Sequence, residues 1–284
     1  MNNKGSFVLV GVLAFLVVGA LGGGYWYAAK SPTRVAFLNV ESEAVQVDTG
    51  AGWQPAQDNM NLGLDDKVKT VDGEASLIIH ESVIVALEPN SEIAIKDLDK
   101  DHVKVDQSSG SAWSKFTGLT GIDAFSVETP ATVATVRGTE FQTTIESVVV
   151  SEGKVEVTTK DGQTFLVEQG FKLIKVGDTW TKVALTESER EEIVAQMQKM
   201  LNRLKELRWA EIHKKETLYS LVKSMYGLTD DGVQEYLDQA DRGEFDLDEV
   251  EQKSPIKSEV VTKVKALTEK IIEQVKAIAS MSAA

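Results

Sequence analysis

The 284-residue sequence contains no cysteine. Disulfides and thiolate metal sites are therefore excluded, while the compartment stays open, because exported proteins also do without cysteine. Histidine is nearly as scarce. His80, His102 and His213 stand far apart, and neither H-x-x-x-H nor H-E-x-x-H spacing occurs, which leaves zinc no motif. No P-loop, G-x-G-x-x-G or G-x-S-x-G is present, so phosphate cradling, dinucleotide binding and nucleophile-elbow hydrolysis lack a signature. The stretch 238–249 has acids at the first and twelfth places of a calcium loop and glycine at the sixth. Ala240 and Arg242 fill its third and fifth places, where oxygen ligands are required, so it is not one. No catalytic, cofactor-binding or metal-ligating residue is indicated, and the expectation is a non-enzymatic protein. Positive charge is also short: 30 Lys and Arg face 44 Asp and Glu, a net charge of −14. The balance is +2 over 1–30, −11 over 31–185 and −5 over 186–284. Nucleic acid is thereby disfavoured as a partner, since its phosphates would be repelled.

Long apolar runs are absent except at the start. Residues 6–24 carry no charge, and Tyr25-Trp26-Tyr27 extends the uncharged stretch past the ~20 residues that span a bilayer as a helix. The aromatic trio suits the membrane–water interface. The expectation is a membrane partner for residues 6–27: an uncleaved single-pass anchor over 1–30, with the bulk of the chain extracytoplasmic. A cleaved signal peptide and a prepilin-like processing site at Lys4-Gly5 are the alternatives.

From Val35 to about Leu185 the pattern is β throughout. Sixteen short runs, the first at 35–38 and the last at 180–183, are separated by turn signals such as Asp72-Gly73, Pro89-Asn90, Asp161-Gly162 and Gly177-Asp178. An all-β domain over 31–185 is expected, as a sandwich, a roll or a solenoid-like barrel. Thr186 with Glu189 then reads as a capping box. Ile193, Met197, Met200, Leu204 and Leu207 recur at helical spacing for about two heptads, and Leu218, Leu221, Val222 and Met225 continue the pattern to Tyr226. Thr229 opens a short helix carrying Val233, Tyr236 and Leu237. The acidic stretch 241–251 reads as a link, and Ser254-Pro255 breaks the chain. Ser258 caps a last helix with Val260, Val264, Leu267, Ile271, Val275 and Ile278 on one face. The region 186–284 is thus expected to be helical. Its apolar faces would pack within the chain or form a seam for self-association.

The chain is organised around 129–157, TPATVATVRGTEFQTTIESVVVSEGKVEV. β-branched residues alternate with polar ones, as in half-buried strands. Phe141, Thr143 and Ile145 fall on one side, with Glu140, Gln142, Thr144 and Glu146 on the other. Gly138 and Gly153 stand where the backbone bulges or turns. This stretch resembles the signature of the FecR domain family, T-P-x-A-x-x-x-V-R-G-T-x-F followed by a V-x-x-G-x-V hairpin. The resemblance spans roughly 35–176. Ala44-Val45-Gln46-Val47, Trp53, the run 62–70, Asp72–Leu77, the 83–93 hairpin region and Ser108 to Trp113 match further landmarks in order. Asp65 stands where the family usually has glycine.

The resemblance implies an extracytoplasmic β domain and a role in protein interaction or signal sensing in the cell envelope. It further implies an envelope protein as partner, or a glycan if the role is structural. The best-studied relatives pass a transporter's signal to a cytoplasmic sigma factor through a region before the membrane span. Here only 1–5 stand before the span, which makes sigma-factor control by that route unexpected. The family-motif residues are Arg137, Gly138, Thr139, Phe141 and Gly153, and a structural role is expected for them. Arg137 has two readings: a ligand contact through its fork of donors, or a tie between the Gly138 junction and nearby carbonyls or an acid. Phe141, Trp53 and Trp113 read as core aromatics.

Overall fold

The computed structural model of the chain describes residues 35–253 and 259–283, apart from 215, 217, 218, 221, 222, 225 and 226. The expected membrane segment 6–27, the helix positions Leu218, Leu221, Val222, Met225 and Tyr226, and the Ser254-Pro255 break with its Ser258 cap lie outside the described residues. Among the described residues no helix is long and apolar enough to cross a membrane. Two compact units are distinguished, Lys30–Ile193 and a helical one from Val194.

The first unit is built from eighteen strands. In chain order they are β1 (Ala36–Val40), β2 (Val45–Asp48), β3 (Gln54–Pro55), β4 (Met60–Leu62), β5 (Lys67–Thr70) and β6 (Ala75–Ile79). Next come β7 (Val83–Leu87), β8 (Glu92–Leu98), β9 (Val103–Ser109), β10 (Ala112–Phe116), β11 (Phe125–Glu128) and β12 (Thr132–Val136). The last six are β13 (Thr139–Thr143), β14 (Ser147–Glu152), β15 (Lys154–Thr159), β16 (Thr164–Glu168), β17 (Phe171–Val176) and β18 (Thr179–Ala184). All but β3 and β4 correspond to runs expected from alternation. Those two are two and three residues long, too short for a period to register.

The strands fall into two nine-stranded sheets. Sheet A has the order β18-β17-β14-β13-β10-β7-β6-β1-β4, and sheet B the order β16-β15-β12-β11-β9-β8-β5-β2-β3. Neighbours are antiparallel except β9 and β11, which run parallel. The inner faces of both sheets feed one apolar cluster, with Leu38, Leu77, Val85, Ile93, Val105, Phe125, Val136, Phe141, Val150 and Val157 among its members. The chain visits the sheets by turns, in hairpins from β6 to β9 and from β11 to β18 and in single strands at β1, β4, β5 and β10, so both sheets grow in the same sequence direction.

The parallel pair reverses the side on which the chain changes sheet. From β5 to β10 the crossings lie on one side, at 71–74, 88–91 and Gly110. They are stitched together there: Asn90 N–H donates to Val71 O (3.0 Å), Thr70 N–H to Ser91 O (2.9 Å), and Ser91 Oγ–H to Ser111 O (2.8 Å). After β10 the crossings lie on the other side, at 117–124, at Arg137-Gly138, at Gly153 and at Gln169-Gly170. A second set of bonds joins these: Gln169 N–H donates to Gly153 O (3.0 Å) and Leu185 N–H to Gly170 O (2.9 Å).

The sheets differ in their outer faces. In sheet B the outer positions alternate with core and are mostly polar, Ala94, Val133 and the exposed Leu166 excepted. In sheet A, β6, β7 and β10 are buried at every position. This corrects the expectation for β13: Glu140, assigned to the polar side, is fully buried. It stands opposite Lys115, whose amine lies 3.9 Å from the Glu140 carboxylate and is also paired with Glu152. A buried acid is tolerated there because a cation is supplied in the same row. Ile145 is likewise outside the core, in the turn after β13 and half-buried.

The helices are α1 (Glu187–His213), α2 (Asp230–Asp241), α3 (Leu247–Lys253) and α4 (Glu259–Ala283). The Thr186 box forms as expected, with Thr186 N–H donating to Glu189 Oε2 (3.0 Å) and Glu189 N–H to Thr186 Oγ1 (3.4 Å). Lys172 on β17 pairs with the same Glu189 and holds its carboxyl below the usual range. The acidic stretch read as a link contains α3. Asp246 caps it, its carboxylate accepting from Asp248 N–H and Glu249 N–H at 3.0 Å each. Within the helical unit the fully buried Arg208 of α1 forks onto Asp241 of α2 at 2.5 and 3.0 Å and donates to Thr268 Oγ1 of α4 at 3.1 Å. Gln274 of α4 donates to Met197 O (3.2 Å), and Met197, Met200, Leu204, Val264 and Ile271 are buried. These side chains are covered within the helical unit, whereas Val275 of the expected α4 face is exposed.

Candidate interaction surface

The motif residues come together at the second row of crossings. β12 ends at Val136, and the chain leaves sheet B through Arg137 and Gly138 to enter sheet A at Thr139. It returns through Gly153. Gly138 and Gly153 both have positive φ, +90° and +77°. A Cβ on Gly153 would lie 3.0 Å from Gly138 O and 3.2 Å from Thr139 Oγ1, so the two corners stack in direct contact. Thr139 Oγ1–H donates to Lys154 O (3.0 Å) and closes the pair. Phe141 is fully buried, its ring 6.3 Å from that of Phe125. Four of the five residues thus build a corner. Arg137 differs: its side chain is exposed, and among the described residues no carbonyl or acid holds it. The expected tie to the junction is absent among the described residues, and Arg137 stands in the crossing from sheet B to sheet A.

That face carries rows of polar side chains fixed by strand register. Ser126, Lys104 and Thr135 stand opposite one another on β11, β9 and β12, and in the next row Glu128 stands between Asp106 and the apolar Val133. Lys104 and Lys160 both clasp the Glu128 carboxylate, and Lys104 lies 3.7 Å from Asp106. The hydrogen bond from Lys104, and then that from Lys160, keeps the Glu128 carboxyl below its ordinary range, while the Glu128 bond raises the Lys104 ammonium. His102 Nε2 lies 2.8 Å from Ser126 Oγ, which lies 3.1 Å from Thr135 Oγ1. The Ser126 side chain is buried within this chain of contacts and is not an exposed nucleophile.

The aromatic expectation divides. Trp113 is buried and donates its indole N–H to Glu88 (3.2 Å), but on the outer face of sheet A rather than in the central cluster. Trp53 is not core: it is 37% exposed, with the Lys69 amine 4.4 Å from its ring centroid. The Glu128–Lys104–Lys160 cluster was not foreseen. Its members come from β9, β11 and the β15–β16 turn, and only sheet order brings them together. Among the described residues, no group of His, Cys, Asp and Glu side chains is arranged to hold a metal ion.

The architecture defines a two-sheet β body with a buried face and a polar face. Residues 66–164 match the family described as FecR protein. The match contains Arg137, Gly138, Thr139, Phe141 and Gly153, and the earlier landmarks up to Asp65, Trp53 among them, lie before it. Two crystal structures of a "putative anti-sigma factor" from Parabacteroides distasonis ATCC 8503, at 1.65 and 2.50 Å resolution, are similar to this chain. Each aligns at 16% identity over 42% of this chain and 59% of the other, with a TM-score of 0.37. The chain therefore covers less than two thirds of those proteins. No curated protein matches it.

Proposed function

We propose that this protein is a non-enzymatic interaction module of the cell envelope, anchored to the membrane through 6–27, with its FecR domain and helices on the outer side. The supporting observation is the FecR match over 66–164, lying on a body whose sheet B carries an ion-paired cluster on its outer face. Such a face suits recognition of a partner's surface, with the anchor raising the effective concentration of the module near the membrane. The FecR match also supports a role in signalling, in which a separate partner would relay the signal across the membrane.

Cross-linking in intact cells, followed by identification of the captured protein, tests the reading. Recurrent capture of one envelope protein, lost when Arg137, Lys104 and Glu128 are changed together, is the expected outcome. Capture of cytoplasmic proteins alone would sink it. Protease added to intact spheroplasts should remove the carboxyl-terminal helices, and their protection would overturn the topology. A second reading, a saccharide-binding envelope module, is favoured by the exposed Trp53 with Lys69 beside it.

A further inference from the structure

Trp53 owes its exposure to a built loop. The Asp48 carboxylate accepts from Gly50 N–H and Gly52 N–H, each at 2.9 Å, and both glycines have positive φ, +95° and +89°. The loop places the indole on the outer side of sheet B, because the Lys69 it stacks on alternates with the buried Val68 and Thr70. With its Oδ1 turned to the loop amides, Asp48 forms no ion pair with Lys67, which stands opposite it in register. Lys69 stands between Gln46 and Glu92 and is not ion-paired with Glu92 either. Among the described residues, Lys67 and Lys69 are in no ion pair, although the surrounding stretch 31–185 carries −11. Two cations two residues apart on β5 thus stand beside an exposed indole, with Asp48 and Glu92 as their register neighbours and neither acid paired to them.

We infer that Trp53, Lys67, Lys69 and Gln46 form a subsite for an acidic saccharide chain. A pyranose ring offers one face of C–H bonds to the indole, as amphipathic aromatics are suited to receive. Its carboxylate meets the lysines by charge complementarity. Its hydroxyls meet the Gln46 amide. A neutral sugar would leave the lysines unused, and an acidic peptide would lack the ring for the indole. The inference rests on the saccharide reading above and adds its site and ligand charge.

The test is calorimetric titration of the purified full chain, in detergent, with hexagalacturonate, maltohexaose and an acidic hexapeptide. The expected result is saturable hexagalacturonate binding that weakens as salt rises, at least tenfold tighter than either of the other two probes. Trp53→Ala should weaken it at least tenfold, Lys67→Gln with Lys69→Gln at least fivefold, and Trp53→Phe less than Trp53→Ala. Melting temperatures of the variants, all exposed or half-buried positions, should match the parent. No binding of hexagalacturonate, equal binding of maltohexaose or the peptide, or binding indifferent to Trp53→Ala would overturn the subsite. A null result removes this subsite and leaves the protein-partner reading, which cross-linking tests separately, standing.

Discussion

The stacked corners make a graded prediction for adding a single methyl group. Gly138, Gly153 and Gly110 all have positive φ, so alanine at each meets the same backbone penalty, about 1–2 kcal/mol. A restricted unfolded chain offsets about 0.4–1 kcal/mol of it, leaving about 1 kcal/mol net. Surroundings then separate the three. A Cβ at Gly138 meets nothing within 4 Å. One at Gly153 meets Gly138 O at 3.0 Å, a backbone atom of the neighbouring corner held by the strands on either side. One at Gly110 would fall 2.3–2.5 Å from Ser91 Oγ, Ser91 Cα and Asn90 O, inside the stitching of the other row. Overpacking of this kind adds about 1–3 kcal/mol. Gly138→Ala should therefore cost about 1 kcal/mol, Gly153→Ala about 2–3, and Gly110→Ala the most. Urea-dependent hydrogen exchange, read on peptides from β7–β15, follows the β unit apart from the helices. Equal costs at Gly138 and Gly153, or a milder effect at Gly110 than at Gly138, would refute the contact argument.

Phe141→Ala should destabilise the β unit by about 3–5 kcal/mol, since it empties a fully buried ring site, and a cost under 1 kcal/mol in a urea titration would contradict the packing. Asp241→Asn should cost the helical unit about 3–5 kcal/mol by stranding the buried Arg208 charge. The pair Arg208→Met with Asp241→Leu should recover most of that loss in thermal melts. The Glu128 carboxyl is depressed in the folded chain, so its contribution is present above its unfolded value near 4.5 and fades as pH falls through the lower folded value. Because Lys160 is half exposed, Glu128→Gln should cost no more than about 1 kcal/mol at neutral pH and nothing below the folded value, as read in paired melts at the two pH values. Thr186→Ala should cost α1 about 1 kcal/mol, visible as faster hydrogen exchange confined to its first turn.

The strands were legible because the core asks for a period of two and the sequence supplies it, from Val83-Val85-Leu87 to Val155-Val157. Turn geometry was legible where glycine declared it and hidden where it did not. His80 and Glu81 both take positive φ without the usual residues, because the pairing of β6 with β7 imposes the turn. Asp65 also has a positive φ, +65°, which accounts for glycine as the usual residue there. Burial of charge was not legible. Alternation marks Glu140 as outward, and only the register that sets Lys115 opposite it reveals a buried pair. The helix α3 escaped notice because its seven residues include three acids and are too few to show an apolar period. The FecR residues identified the corner well, since four of them are fixed by backbone geometry. The outer face of sheet B was invisible, because Lys104, Glu128 and Lys160 become neighbours only through strand order.

The parallel pairing of β9 with β11 has a practical side. Hairpin tips project opposite the crossings, so the tips at 80–82 and 99–102 point one way and those at 144–146, 160–163 and 177–178 point the other. A coil that never reversed would send every later tip in one direction. Here a short epitope inserted after Glu81 and another after Gly177 would emerge from opposite flanks of the same body. A large antibody fragment directed at each in turn would then read out separately whether either flank is shielded on intact cells.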